Sequence, residues 1–65
     1  MVFTATYYAR TWRGGNRTVI AVREIQAARR AVAEEVAAVW LEYERRHNRG
    51  YLVTVAIKRT VSPKP

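Results

Sequence analysis

The chain has 65 residues, no cysteine, a single histidine (His47), and twelve Lys+Arg against five acidic residues, for a net charge of +7. This length supports one domain, the missing thiols exclude disulfides and thiolate metal sites, and a lone histidine excludes a multi-histidine centre. A domain this small buries only about 60% of its unfolded surface, which leaves a partner subunit as the available staple.

Residues 2 to 13 alternate, with Phe3, Ala5, Tyr7 and Ala9 on one side and Thr4, Thr6, Tyr8, Arg10 and Trp12 on the other. A period of two with Thr and Tyr at these positions predicts a strand. Gly14-Gly15-Asn16 tolerates positive φ and predicts a hairpin turn. Residues 17 to 23 form the returning strand, with Ile20 and Val22 expected beside Phe3, Tyr7 and Ala9, and Val19, Ala21 and Arg23 on the opposite face.

From Glu24 the period changes. Ile25, Ala28, Val32, Val36, Val39 and Tyr43 recur every three or four residues, which predicts a helix of about 24 residues with this stripe against the sheet. Glu24 in the first turn and Arg45, Arg46, His47 and Arg49 near the end complement the helix dipole. Glu42–Arg46 and Arg30–Glu34 have the spacing of intrahelical pairs. Gly50 suits the position just past the helix end. No Ser, Thr, Asp or Asn precedes Glu24, so the start carries no capping signal. Residues 51 to 61 alternate again, with Tyr51, Val53, Val55 and Ile57 on one side and Leu52, Thr54, Ala56 and Lys58 on the other. The proline-bearing segment 62–65 is expected to be a disordered tail beyond a single domain of residues 1–61.

Strand, strand, helix, strand predicts an α+β fold of ββαβ order. The helical crossover makes the third strand parallel to the second, and the first strand, antiparallel to both, fits between them in sheet order 2-1-3. One helix covers one face of such a sheet. The other face then presents Tyr8 and Trp12 among Arg10, Arg23 and Lys58, together with Val19, Ala21, Leu52 and Ala56. An open aromatic and apolar face of this kind marks an interaction site.

Two readings follow. Tyr8 and Trp12 stack on bases while Arg10, Arg23 and Lys58 hold phosphates, as on sheets that bind single-stranded nucleic acid. Alternatively, the face packs against a second copy or an acidic protein surface, where Trp, Tyr and Arg are the residues that dominate binding. The charge places nucleic acid first. Ten of the twelve cations are Arg, which suits bidentate phosphate contacts, although a GC-rich genome also encodes an Arg-rich, Lys-poor chain. Arg45, Arg46 and Arg49 form a phosphate-binding corner on this reading, and Arg13 and Arg17, flanking the glycines, form a basic finger. Trp40 lies off the centre of the helix stripe, where it either covers the core edge or joins Leu41 and Ala37 in a second interface.

Catalysis has few resources. There is no Asp, the only Ser is Ser62, His47 sits inside an Arg cluster, and Glu34 and Glu35 diverge around the helix. Gly14-Gly15 lacks the spacing of a phosphate loop. A non-enzymatic binding protein without a cofactor is expected. No apolar run approaches the roughly 20 residues that span a bilayer, and Met1-Val2-Phe3-Thr4 lacks the pattern of a signal peptide, so a cytoplasmic, self-associating protein with no membrane partner is expected.

Overall fold

A computed structural model describes residues 1–60; the expected tail at 62–65 lies outside the described residues. The elements are β1 (Val2–Thr11), β2 (Gly14–Gln26), α1 (Arg30–His47) and β3 (Tyr51–Arg59). They form the expected α+β, ββαβ arrangement: a three-stranded sheet of order β2-β1-β3, antiparallel at both contacts, with α1 on one face. Its dimensions, 42 × 24 × 15 Å, describe a thin, elongated two-layer slab. The radius of gyration is 13.0 Å, against roughly 11 Å for a compact chain of this length, so much of both layers stays exposed.

The β1–β3 pairing runs without interruption from Phe3↔Arg59 to Thr11↔Tyr51. Residues directly opposite one another share a face, so Val53, Val55 and Ile57 join Phe3, Ala5, Tyr7 and Ala9 beneath the helix, as the alternation implies. Thr4 and Thr60 hydroxyls close the far end with a hydrogen bond.

The β1–β2 pairing is irregular. The chain reverses at Trp12-Arg13, two residues before the expected turn, and the Thr11 hydroxyl donates to the Gly14 carbonyl at 2.7 Å. Gly14 and Gly15 have φ of +96° and +99°; they open the return strand as a bulge following the turn, a geometry that only glycine adopts without strain. A second bulge follows. Tyr8 pairs with Val19 but Tyr7 pairs with Ala21, which leaves Ile20 as an extra residue. One inserted residue exchanges the faces of everything beyond it. Ala21, Arg23 and Ile25 therefore face the helix, while Val22 points away and is 59% exposed. The expected placement of Val22 inside and of Ala21 and Arg23 outside is thus reversed; Ile20 does pack against the core.

The helix also starts later than its periodicity suggests. Glu24, Ile25 and Gln26 remain in β2, where Ile25 pairs opposite Phe3 and is buried. Arg29 occupies the N-cap in extended conformation with no side-chain cap, consistent with the absence of a capping residue in the sequence. The sheet-facing stripe is Ala33, Ala37 and Glu44, with Val32 and Leu41 partly buried, not the expected Val36, Val39 and Tyr43. Small residues at the contact let the helix approach the aromatic sheet closely, and Tyr7 donates its hydroxyl proton to the Ala37 carbonyl at 2.9 Å. Burial pushes the Tyr7 phenol above its ordinary pKa, against the opposing pull of Arg23 and with a smaller upward push from Glu44. The expected helix pairs are replaced: Arg45 meets Glu42 at 3.5 Å and Arg30 donates to the Ile57 carbonyl. Asn48 donates to the Glu44 carbonyl, and Gly50, at φ +89°, turns the chain into β3.

Candidate nucleic-acid interface

The outer sheet face takes Thr4, Thr6, Tyr8 and Arg10 from β1, Leu52, Thr54, Ala56 and Lys58 from β3, and Arg17, Val19, Val22 and Glu24 from β2. Its two ends differ in charge. At the open end, Glu24 and Lys58 both flank Thr4, one on each neighbouring strand, so a cation is offset by an anion. At the hairpin end, Arg10 and Arg17 stand together with no acidic residue beside them on this face.

The hairpin-end geometry centres on Tyr8. The Arg17 guanidinium lies 3.9 Å from the Tyr8 ring centroid, within cation–π range. Beside this stack is an open depression of about 270 Å³ lined by Tyr8, Arg10, Arg17, Gly15, Leu52 and Thr54. A second depression of about 290 Å³ shares Arg10 and Ala9 and opens past the hairpin toward the helix end, where Asn16, Thr18, Asn48 and Tyr51 line it. The two hollows bracket the base of the hairpin. Trp12, 71% exposed, and Arg13 form the tip between them.

Pairing of Thr11 with Tyr51 places the end of α1 at this same pole. Arg45, Arg46 and Arg49 are all exposed there, and His47 Nδ1–H donates to the Tyr43 carbonyl at 2.8 Å. Of the residues expected at the site, the structure therefore gathers Tyr8, Arg10, Trp12, Arg13 and Arg17 at one end of the slab, with Arg45, Arg46 and Arg49 beside them. Lys58 shares the face but lies at the opposite end. Trp12 belongs to the turn rather than to the strand face.

Arg23 is the residue that does not belong. The Ile20 bulge turns it inward, where its guanidinium stacks 3.9 Å from the Trp40 centroid and donates to Glu44 Oε1 at 2.9 Å. Glu44 is 7% exposed, and Arg23 Nε is buried with no partner among the described residues. This pair is a clasp between sheet and helix. Trp40 and the half-buried Leu41 and buried Ala37 do not form one surface: the latter two lie in the core. Asn16 is expected as part of the turn and Asn48 as part of the basic cluster, but neither they nor Tyr51 as lining of a hollow; the signal that places all three is proximity to Gly14 and Gly50, the two points where the chain turns at this pole.

Among the described residues no three metal-ligating side chains cluster, and no helix is long and apolar enough to cross a membrane. The chain matches no protein-family model, and no curated protein and no solved structure matches it. Functional reading therefore rests on the site itself.

Proposed function

We propose that this chain is a non-enzymatic binding protein that holds single-stranded nucleic acid across the hairpin end of its outer sheet face. The observation that carries this reading is the Arg17–Tyr8 stack beside the Arg10 hollow. A guanidinium plane backed by an aromatic ring is a surface on which a base stacks, and it adds positive charge where the phosphate runs. Trp12 at the rim offers a second stacking plane. Arg13, Arg45, Arg46 and Arg49 extend the positive field around the pole, which supplies affinity without sequence preference. An open sheet end of this shape admits unpaired bases, whereas a duplex keeps its base faces stacked out of reach.

Titration of labelled single-stranded and duplex oligonucleotides at two salt concentrations tests this. Single strands are expected to bind more tightly, with log K falling linearly in log salt. Equal affinity for both forms, present only at low salt, would be the behaviour of any +7 chain and would remove the stacking reading. One observation favours a second reading, in which an acidic protein docks on this face: Val19 and Val22 are 52% and 59% exposed on β2. Binding of nucleic acid that is indifferent to Val19→Ser separates the two.

A further inference from the structure

The helix carries two apolar stripes, and the bulkier one is outside. Ala33 and Ala37 face the sheet. Val36, Val39, Trp40 and Tyr43 recur at i, i+3, i+4 and i+7 along a neighbouring flank and are 37%, 69%, 37% and 44% exposed. Among the described residues five of the nine buried hydrophobics are alanine, so the large side chains that a small domain needs in a core lie on this flank instead.

The flank is also held in place before anything touches it. Arg23 lies on one face of Trp40, Tyr43 meets Trp40 edge-on at 5.5 Å, and His47 stacks on Tyr43 at 4.2 Å. Fixed aromatic side chains lose little entropy on docking. The stripe ends on opposite charges: Glu35 precedes Val36, and Arg46 follows Tyr43. Both are exposed, and neither is in an ion pair among the described residues. Such a stripe complements its own reverse. A second copy of α1 laid antiparallel brings its Arg46 toward Glu35 and its Glu35 toward Arg46, with the helix dipoles opposed.

We propose that this chain self-associates through the Val36–Val39–Trp40–Tyr43 flank, two copies packing their helices antiparallel about a two-fold axis. The contact is isologous, so each feature appears twice. It lies on the helix layer and leaves both outer sheet faces free.

Charge exchange tests this without touching the core. Glu35→Arg alone sets Arg against Arg46 twice, and Arg46→Glu alone sets Glu against Glu35 twice. Each is expected to weaken self-association at least about tenfold in sedimentation equilibrium. An equimolar mixture of the two variants restores both contacts and is expected to form the heterodimer, resolved from homodimers by native mass spectrometry. Circular dichroism confirms that each exposed substitution leaves the fold intact, and Val39→Asp is expected to give a monomer. The proposal is overturned if the wild-type chain is monomeric up to about 1 mM, if Val39→Asp leaves the dimer unchanged, or if the mixed variants associate no better than either alone. No nucleic acid enters these measurements, so their outcome is independent of the binding proposed for the sheet face.

Discussion

Arg17 and Arg23 stand six residues apart on β2, and each guanidinium lies 3.9 Å from the centroid of an aromatic ring. In an unbroken strand they would share a face. The extra residue Ile20 sends them to opposite faces. Arg23 then finds the carboxylate of buried Glu44 and ties the sheet to α1. Among the described residues Arg17 meets Tyr8 and no carboxylate, and keeps its charge available. The same residue type on the same strand, in the same stacking geometry, is structural in one place and a candidate ligand contact in the other. The neighbouring acid decides which.

Inserting one residue between Ala21 and Val22 has the largest expected effect. With parity shifted by one beyond the bulge, Arg23 and Ile25 turn outward, Val22 and Glu24 turn inward, and Glu44 loses its partner. Stability of a small domain is only about 5–15 kcal/mol, so the insertion is expected to abolish cooperative thermal unfolding. Glu44→Ala is the milder version. Removing one member of a largely buried ion pair leaves the other uncompensated, and a loss of about 3 kcal/mol is expected in urea unfolding. Arg23→Ala combined with Glu44→Ala should cost clearly less than the two single losses added together.

Arg17→Ala sharpens the contrast from the other side. Its side chain is exposed, so stability should move by less than about 0.5 kcal/mol, while affinity for single strands falls about tenfold, in the range of one stacking and phosphate contact. A smaller effect comes from Tyr7. Because burial raises its phenol pKa, the unfolded chain ionises first, near the ordinary phenol pKa of about 10. Stability is then fully present below that pH and declines as pH rises above it, since the unfolded state binds fewer protons there. Tyr7→Phe should cost about 1 kcal/mol for the lost hydrogen bond and remove this part of the alkaline slope. Smallest of all, Lys58→Ala should change single-strand affinity less than about threefold, because Glu24 offsets its charge at the open end.

The β1 and β3 alternations were sufficient to place Phe3, Tyr7, Val53 and Val55 in one core and to order the sheet, because a regular ladder transmits parity from end to end. The β1–β2 contact was not legible in this way. Nothing in Val19-Ile20-Ala21-Val22 announces a bulge, since all four residues suit either face, and the face of Arg23 hung on that one register step. The helix misled for a related reason. Val32, Val36, Val39 and Tyr43 do make a continuous stripe on α1, but close packing on Tyr7 selects the smaller Ala33 and Ala37. A buried glutamate, Glu44, takes the position facing Arg23. The hairpin pole was partly legible: Tyr8, Arg10 and Arg17 could be grouped from alternation and a turn, whereas the approach of Asn48 and Tyr51 depended on where β3 begins.

Fluorescence anisotropy of a labelled single strand at physiological salt, with wild-type, Arg17→Ala and Lys58→Ala proteins compared side by side, tests whether the binding site lies at the hairpin end. The expected result is wild-type binding tighter than the roughly 1–100 µM typical of non-specific contacts, a marked loss on removing Arg17, and little change on removing Lys58. Equal losses at the two positions, or binding that vanishes at physiological salt, would contradict a site at the hairpin end.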